Sequence, residues 1–222
     1  MTNEIATSSL EVQIRAFHDQ IRSQVPEEIA TAVSIELAAL ARSGIANGAL
    51  GVGAEAPDFA LPDRHGQTVR LSALLARGPV VLTFYRGGWC PYCNLQLRAY
   101  QAILADIESL GATLVAISPQ TPDYTVSTVD EKGLRFPVLS DVGNGVARKY
   151  GLVFVLSESL QDLQKKFGNE VPRFNGDSSW ELPMPATFVI SRDGVIRLAS
   201  VDSDYRRRLE PAAILAQLAG IS

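Results

Sequence analysis

The chain has 222 residues, a hydrophobic share of 46%, charged residues at 20% and a formal net charge of −4. This is enough for a substantial core, as one large domain or a domain with an appendage, and it gives no basic footprint for nucleic acid. No apolar run approaches the roughly 20 residues of a membrane span. The opening MTNEIATSSLEVQIRAF lacks a secretory pattern, and two cysteines exclude a framework of several disulfides, so a cytoplasmic protein is expected.

The chain begins with two amphipathic helices. Leu10, Ile14, Phe17 and Ile21 form one stripe, with Ser8 or Ser9 as its cap. Ile29, Val33, Leu37 and Leu40 form the second, with Pro26 suited to the first turn and Glu27 and Glu28 to its positive end. These stripes must bury against the main domain or against the same element of a second subunit. Gly44, Gly48, Gly51 and Gly53 mark a connection, which sets residues 1–50 apart as a two-helix extension and 51–222 as the main domain.

Strands and helices alternate from Ala54 onward. Segments 58–61 and 67–71 flank RHG as a hairpin or bent connection, and PVVLTFY at 79–85 suits a central strand buried on both faces. A helix is expected over 91–110, capped by Gly111, then a strand over 112–117 and a helix over 122–132. A short strand at 136–139, a helix at 145–150, a strand at 152–156 and a helix at 157–167 come next. Segments 186–190 and 195–201 form a hairpin about Arg192-Asp193-Gly194, and a last helix begins near Pro211. Parallel units followed by an antiparallel hairpin imply a mixed central sheet with helices on both faces.

Both cysteines lie in YRGGWCPYCN, residues 85–94. Between a strand and a helix, Cys90 takes the N-cap and Cys93 sits about one turn in, where unpaired N–H groups and the helix dipole favour a thiolate. Residues three apart on a helix are neighbours, so a disulfide closes easily. Gly87 and Gly88 are expected to leave room for a partner to approach the sulfur. A zinc site would need four ligands, and only the distant His18 and His65 remain, so no metal is expected. An inert structural pair fits the strand–CPYC–helix context poorly. The run Arg206-Arg207-Arg208, bracketed by Asp202, Asp204 and Glu210, reads as a solvated face, with an anion or partner site as the lesser alternative.

FYRGGWCPYC at 84–93 resembles the active site of thioredoxin-fold redoxins, and CPYC is the dithiol pattern of glutaredoxins. The rest of the chain resembles the peroxiredoxin family, the alkyl hydroperoxide reductase and thiol-specific antioxidant group. The likeness rests on GAEAPDFALPDRHGQTVRLSAL, FPVLSDVGNGVARKYG and ATFVISRDG, and covers about residues 50–220. It implies a thioredoxin-like, peroxiredoxin-type three-layer α/β fold with an N-terminal helical extension, and no cofactor.

Peroxiredoxins carry a threonine or serine three residues before the peroxidatic cysteine and an arginine before the hairpin strand. On that pattern Cys93 is peroxidatic, Cys90 replaces the threonine, and Pro185 holds the arginine's place. In thioredoxins this last position is a cis-proline facing the dithiol, which makes Met184 and Pro185 the expected substrate-positioning pair. Arg86 is weighed as a thiolate-stabilising group against a surface arginine. Trp89 and Tyr92 are expected at the rim, and Thr187 as a hydroxyl donor or a plain strand residue. By thioredoxin logic Cys90 attacks; by peroxiredoxin logic Cys93 does. Both routes end in a Cys90–Cys93 disulfide.

Three functions follow. The first is a thiol peroxidase acting on hydroperoxides and recycled by thioredoxin or by glutathione and glutaredoxin. The second is a thiol–disulfide oxidoreductase acting on protein or glutathione disulfides. The third is a non-catalytic redox sensor, with the N-terminal helices as a docking or homodimerisation surface. The missing threonine and arginine imply a peroxidase rate well below that of other peroxiredoxins, by on the order of 10²–10³ for each lost electrostatic donor.

Overall fold

A computed structural model describes residues 9–221, so Ser8 as a cap lies outside the described residues. Helix α1 (Leu10–Gln24) starts at Ser9, whose Oγ accepts from the Val12 N–H at 3.3 Å. The carboxylate of Glu210 also caps it, accepting from the N–H groups of Leu10 at 3.2 Å and Glu11 at 2.6 Å. Helix α2 (Glu27–Arg42) follows Pro26, and a 3₁₀ turn, Ile45–Gly48, leads into the rest of the chain. The stripes of α1 and α2 bury within their own chain, with Leu10, Ile14, Ala30 and Leu37 all buried.

A small hairpin, β1 (Ala60–Pro62) with β2 (Thr68–Arg70), precedes the short helix α3 (Leu71–Leu75). The central strand β3 (Val80–Phe84) is buried at every position. It pairs parallel with β4 (Thr113–Ser118) and antiparallel with β8 (Ala186–Ile190). Strand β5 (Val138–Ser140) extends the parallel side and β9 (Ile196–Val201) the antiparallel side, giving the order β5-β4-β3-β8-β9. Successive side chains of β3 point to opposite faces. Val81 joins a core with Leu97, Tyr100, Ile107 and Val189, whereas Val80, Leu82 and Phe84 join Ile117, Tyr150 and Phe188 on the other face. Each such large apolar side chain contributes about 1.5–3 kcal/mol on burial.

The expected single helix over 91–110 is two: α4 (Pro91–Ala102) and α5 (Leu104–Ser109), broken at Ile103 with φ −99° and ψ 11°. No proline or glycine marks that break, and the side-chain spacing runs through it. Helices α6 (Pro122–Lys132), α7 (Gly145–Lys149) and α8 (Glu158–Lys166) fall where expected. Helix α3 was not expected from the sequence, nor were the short helix α9 (Val171–Asn175) and the strand β7 (Glu181–Pro183). Strand β7 pairs antiparallel with β6 (Val153–Val155). Helix α10 (Pro211–Ala219) closes the chain on the sheet face that carries α4 and α5. No helix of the described residues is long and apolar enough to cross a membrane.

Candidate active site

Strand β3 delivers the chain to the N-terminus of α4. Cys90 is the N-cap and Pro91 the first helical residue, where its missing N–H costs no hydrogen bond. The loop between is clamped on both sides. The Gly88 N–H donates to Gln120 Oε1 at 2.7 Å, Asn94 Nδ2 donates to the Gly88 carbonyl at 2.8 Å, and the Cys90 N–H donates to the Gly87 carbonyl at 3.0 Å.

The two glycines do not open a path to sulfur. Gly87 has φ +152°, and a Cβ there would lie 2.3 Å from Trp89 Nε1; a Cβ on Gly88 would lie 2.2 Å from Thr128 Oγ1. They let the Trp89 ring fold back and α6 pack close. The expected entry for a partner is filled by the protein itself.

Both cysteines are free and buried, Cys90 with 1% and Cys93 with 0% of its surface exposed. Two guanidiniums converge on them. Arg208 Nη2 donates to Cys93 Sγ at 3.5 Å, and Arg86 Nη1 lies 4.0 Å from Cys90 Sγ. Arg86 is 3% exposed, its guanidinium carbon 5.0 Å from the ring centre of Trp89 and 4.4 Å from that of Tyr205. Neither arginine has a carboxylate partner among the described residues, and both Nε atoms are buried without an acceptor. A buried cation needs an anion. Here the nearest is the dithiol.

The two thiols therefore separate. Burial opposes ionisation of Cys93, but a hydrogen bond from Cys90, the charges of Arg208 and Arg86 and the Arg86 N–H outweigh it and hold its pKa at about 5. Burial, the hydrogen bond given to Cys93 and the Cys93 charge push the Cys90 thiol well above the ordinary range. These shifts favour the thiolate on Cys93, with Cys90 as the group that donates to it.

Arg86 is buried at the thiols and is no surface arginine. Trp89 is half-buried and stacks on Phe174 at 6.3 Å, while Tyr92 is buried between Phe17 and Tyr205 with its hydroxyl 3.2 Å from His18 Nδ1. Thr187 shares hydrogen bonds with Thr83, Gln96 and Tyr100, so its hydroxyl belongs to a buried network. Met184 is buried and its N–H donates to the Leu152 carbonyl at 2.8 Å. The expected cis-proline is absent: no peptide bond among the described residues is cis, and Pro185 simply joins β7 to β8. It lines a separate cleft of about 500 Å³ with Gln96, Thr187 and Arg208.

Two residues at the dithiol were not among the expected site residues, Arg208 beside Cys93 and Tyr205 under Arg86. Within the arginine run, Arg206 pairs with Asp204 at 2.7 Å in a half-buried contact, and only Arg207, paired with Asp202 at 3.6 Å, lies on a solvated face. Glu210, the remaining acid, is spent on capping α1, which leaves Arg208 to turn inward. In the sequence the three arginines match three nearby acids, and the cap that withdraws Glu210 across 200 residues was not readable.

A cavity of about 410 Å³ opens at the site. Its lining includes Phe17, Ile29, Val33, Trp89, Cys90 and Phe167, and does not include Cys93.

The AhpC/TSA family model matches residues 52–199, more than half of the chain. The chain belongs to the AhpC/TSA family. A Mycobacterium tuberculosis protein named as a peroxiredoxin is 35% identical over 99 residues, which is 45% of this chain and 62% of that protein. The thiol-disulfide oxidoreductase ResA of Halalkalibacterium halodurans is 32% identical over 45% of this chain and 56% of its own length. The match thus spans less than two thirds of the length of these curated relatives. Among solved structures, the crystal structure of peroxidoxin BcpB from Mycobacterium tuberculosis superposes with a TM-score of 0.61 at 25% identity, over 78% of this chain and 99% of that one. The family match begins at residue 52, so α1 and α2 lie outside it, while Cys90, Cys93 and Arg86 lie inside.

Proposed function

We propose that this member of the AhpC/TSA family is a thiol peroxidase in which Cys93 attacks a hydroperoxide. The observation that supports this is the pair of guanidiniums at the thiols, Arg86 buried and Arg208 half-buried, neither with a carboxylate partner among the described residues. The Cys93 thiolate attacks the terminal peroxide oxygen, the O–O bond breaks, and the alcohol or water leaves with one proton taken up. Cys93 becomes the sulfenic acid. Arg208 and Arg86 are placed to stabilise charge on the departing oxygen, the role the family gives to an arginine whose expected place here is held by Pro185. Cys90 then condenses with the sulfenic acid, releasing water and forming the Cys90–Cys93 disulfide. A thiol donor returns the pair to the reduced state. In this reading the chain divides into a two-helix extension, 1–50, and a redoxin unit, 51–222, with the described residues 9–50 forming an arm on that unit.

A second reading, thiol–disulfide exchange led by Cys90, is favoured by one observation: Cys90 and not Cys93 meets the 410 Å³ cavity. Stopped-flow Trp fluorescence of the reduced protein with stoichiometric hydrogen peroxide separates the two. With Cys93 in the lead, Cys90→Ser still oxidises and accumulates a dimedone-trappable sulfenic acid, and Cys93→Ser does neither. Loss of peroxide reactivity in Cys90→Ser with retention in Cys93→Ser would overturn the assignment.

A further inference from the structure

The cavity at Cys90 has features that the peroxidase chemistry leaves unused. Its walls come from outside the family-matching region as well as inside it: Phe17 and Ile21 from α1, Ile29 and Val33 from α2, and Phe167 from the end of α8. Arg22, Arg86, Arg206 and His18 also line it, and no aspartate or glutamate does, so a cationic donor is disfavoured while the apolar walls take an uncharged body. The walls are also anchored. Ile29 and Val33 pack on Leu156, Leu160 and Leu163, Ser157 Oγ donates to Glu36 Oε2 at 2.7 Å, and His18 meets Tyr92. Cys90 lines this space yet is only 1% exposed.

We propose that this groove is where the oxidised dithiol is reduced, by a low-molecular-weight thiol with an apolar body that attacks Cys90. The inference rests on the Cys90–Cys93 disulfide of the preceding reading. Size argues for a small molecule: about 410 Å³ falls within the roughly 300–1,000 Å³ of small-molecule sites. A thiol carried on a folded protein would have to displace anchored helices to reach Cys90.

Leaving-group chemistry selects the sulfur. The incoming thiolate bonds to Cys90 Sγ, the Cys90–Cys93 bond breaks, and the electron pair leaves on Cys93, where Arg208 and Arg86 receive it. A thiol of low pKa leaves faster. Attack on Cys93 would instead expel Cys90, whose anion burial disfavours. A second molecule of thiol then attacks the donor sulfur of the mixed disulfide, releasing a free disulfide, and Cys90 leaves as the neutral thiol by taking the proton that the second thiol gives up. Two thiols are oxidised to one disulfide and the protein disulfide is reduced to two thiols. The groove makes the helical arm a specificity element for the donor.

The test starts from protein oxidised with diamide, so that it runs even if peroxide proves not to form the disulfide; failure of the peroxidase reading and failure of this one are then separate results. Butanethiol, 2-mercaptoethanol, cysteamine and reduced thioredoxin are compared by stopped-flow Trp fluorescence, each rate referred to its thiolate concentration. Acid-quenched intermediates are alkylated and the peptide spanning 85–98 is sequenced by mass spectrometry. Butanethiol is expected to react about tenfold faster than 2-mercaptoethanol, the factor that goes with burying its additional apolar surface. Its adduct is expected on Cys90, with Cys93 alkylated. Val33→Glu should erase the butanethiol advantage and favour cysteamine, a ratio measured within one folded protein. An adduct on Cys93, equal rates for butanethiol and 2-mercaptoethanol, an unchanged ratio in Val33→Glu, or reduction by thioredoxin faster than by butanethiol would each overturn the proposal.

Discussion

Arg208 and Cys93, 115 residues apart in the chain, meet at 3.5 Å. The contact joins the loop after β9 to the first turn of α4 and places a fixed positive charge on a fully buried sulfur. An arginine in this place adds its charge to the hydrogen bond from Cys90, and both favour the thiolate form of Cys93.

Removing that charge should therefore show in ionisation before it shows in fold. Arg208→Met is expected to raise the Cys93 pKa and to slow oxidation by hydrogen peroxide at neutral pH by on the order of 10²-fold. Arg208→Lys should recover part of the loss, since it keeps the charge but not the planar fork. Thiolate absorbance at 240 nm against pH, together with the peroxide rate, checks both. An unchanged titration in Arg208→Met would remove Arg208 from the chemistry.

The pH dependence has a definite sign. With a Cys93 pKa of about 5, the peroxide rate should be level at neutral pH and fall by half near pH 5. Stability follows the same group. In the unfolded chain a thiol titrates near 8.5, so between about pH 5 and 8.5 the unfolded form binds the extra proton and the reduced protein gains stability as pH rises. Above about 8.5 the raised Cys90 reverses the slope, because the unfolded chain then loses a proton that the folded one keeps. Urea midpoints across this range, compared with Cys93→Ser, should differ most at pH 8 and least below pH 5.

Gly88 is fixed by contact with α6. Gly88→Ala would force a Cβ to within 2.2 Å of Thr128 Oγ1, and overpacking of this kind costs about 1–3 kcal/mol. The added methyl should also shift the 86–90 loop and with it Trp89. A lowered urea midpoint with altered Trp emission is the expected result, and paired Gly88→Ala, Thr128→Ala should restore most of it.

Glu210 ties the arm to the body. Glu210→Ala removes the acceptor for the N–H groups of Leu10 and Glu11 and should cost about 0.5–2 kcal/mol in α1, the usual value of a lost cap. Hydrogen exchange should rise at residues 10–13 before any other segment, with Ser9 limiting the effect through Val12.

Most of the frame was legible because its signals are local. The run 79–85 is apolar at nearly every position, and a strand covered on both faces asks for that. The turn Arg192-Asp193-Gly194 and the position of Pro91 were readable for similar reasons. What was not legible depends on pairs distant in sequence. Strand β7 exists because β6 offers it an edge, and Ile103 breaks a helix whose spacing runs straight through. Family analogy put a cis-proline at 185, but the backbone from β7 to β8 stays trans and the Met184 N–H serves Leu152. At the site, CPYC gave the chemistry and the family pattern put Cys93 forward. Arg208 stayed hidden because its neighbours in the run do pair with acids.

The sandwich of Arg86 between Trp89 and Tyr205 sets a direction for electron flow. Closing the disulfide discharges the one anion near Arg86 and Arg208, and two guanidiniums remain, Arg86 with its Nε and most of its surface shut off from water. The oxidised state carries that electrostatic penalty and the reduced state does not. A couple whose thiolate form is held down in this way is a weak reductant, as the strongly oxidising redoxins show by comparison with thioredoxin near about −270 mV. The dithiol should therefore sit at a distinctly less negative potential, and equilibration with glutathione buffers at pH 7 should find it largely reduced where thioredoxin is oxidised. Arg86→Met should move that potential back towards the negative side.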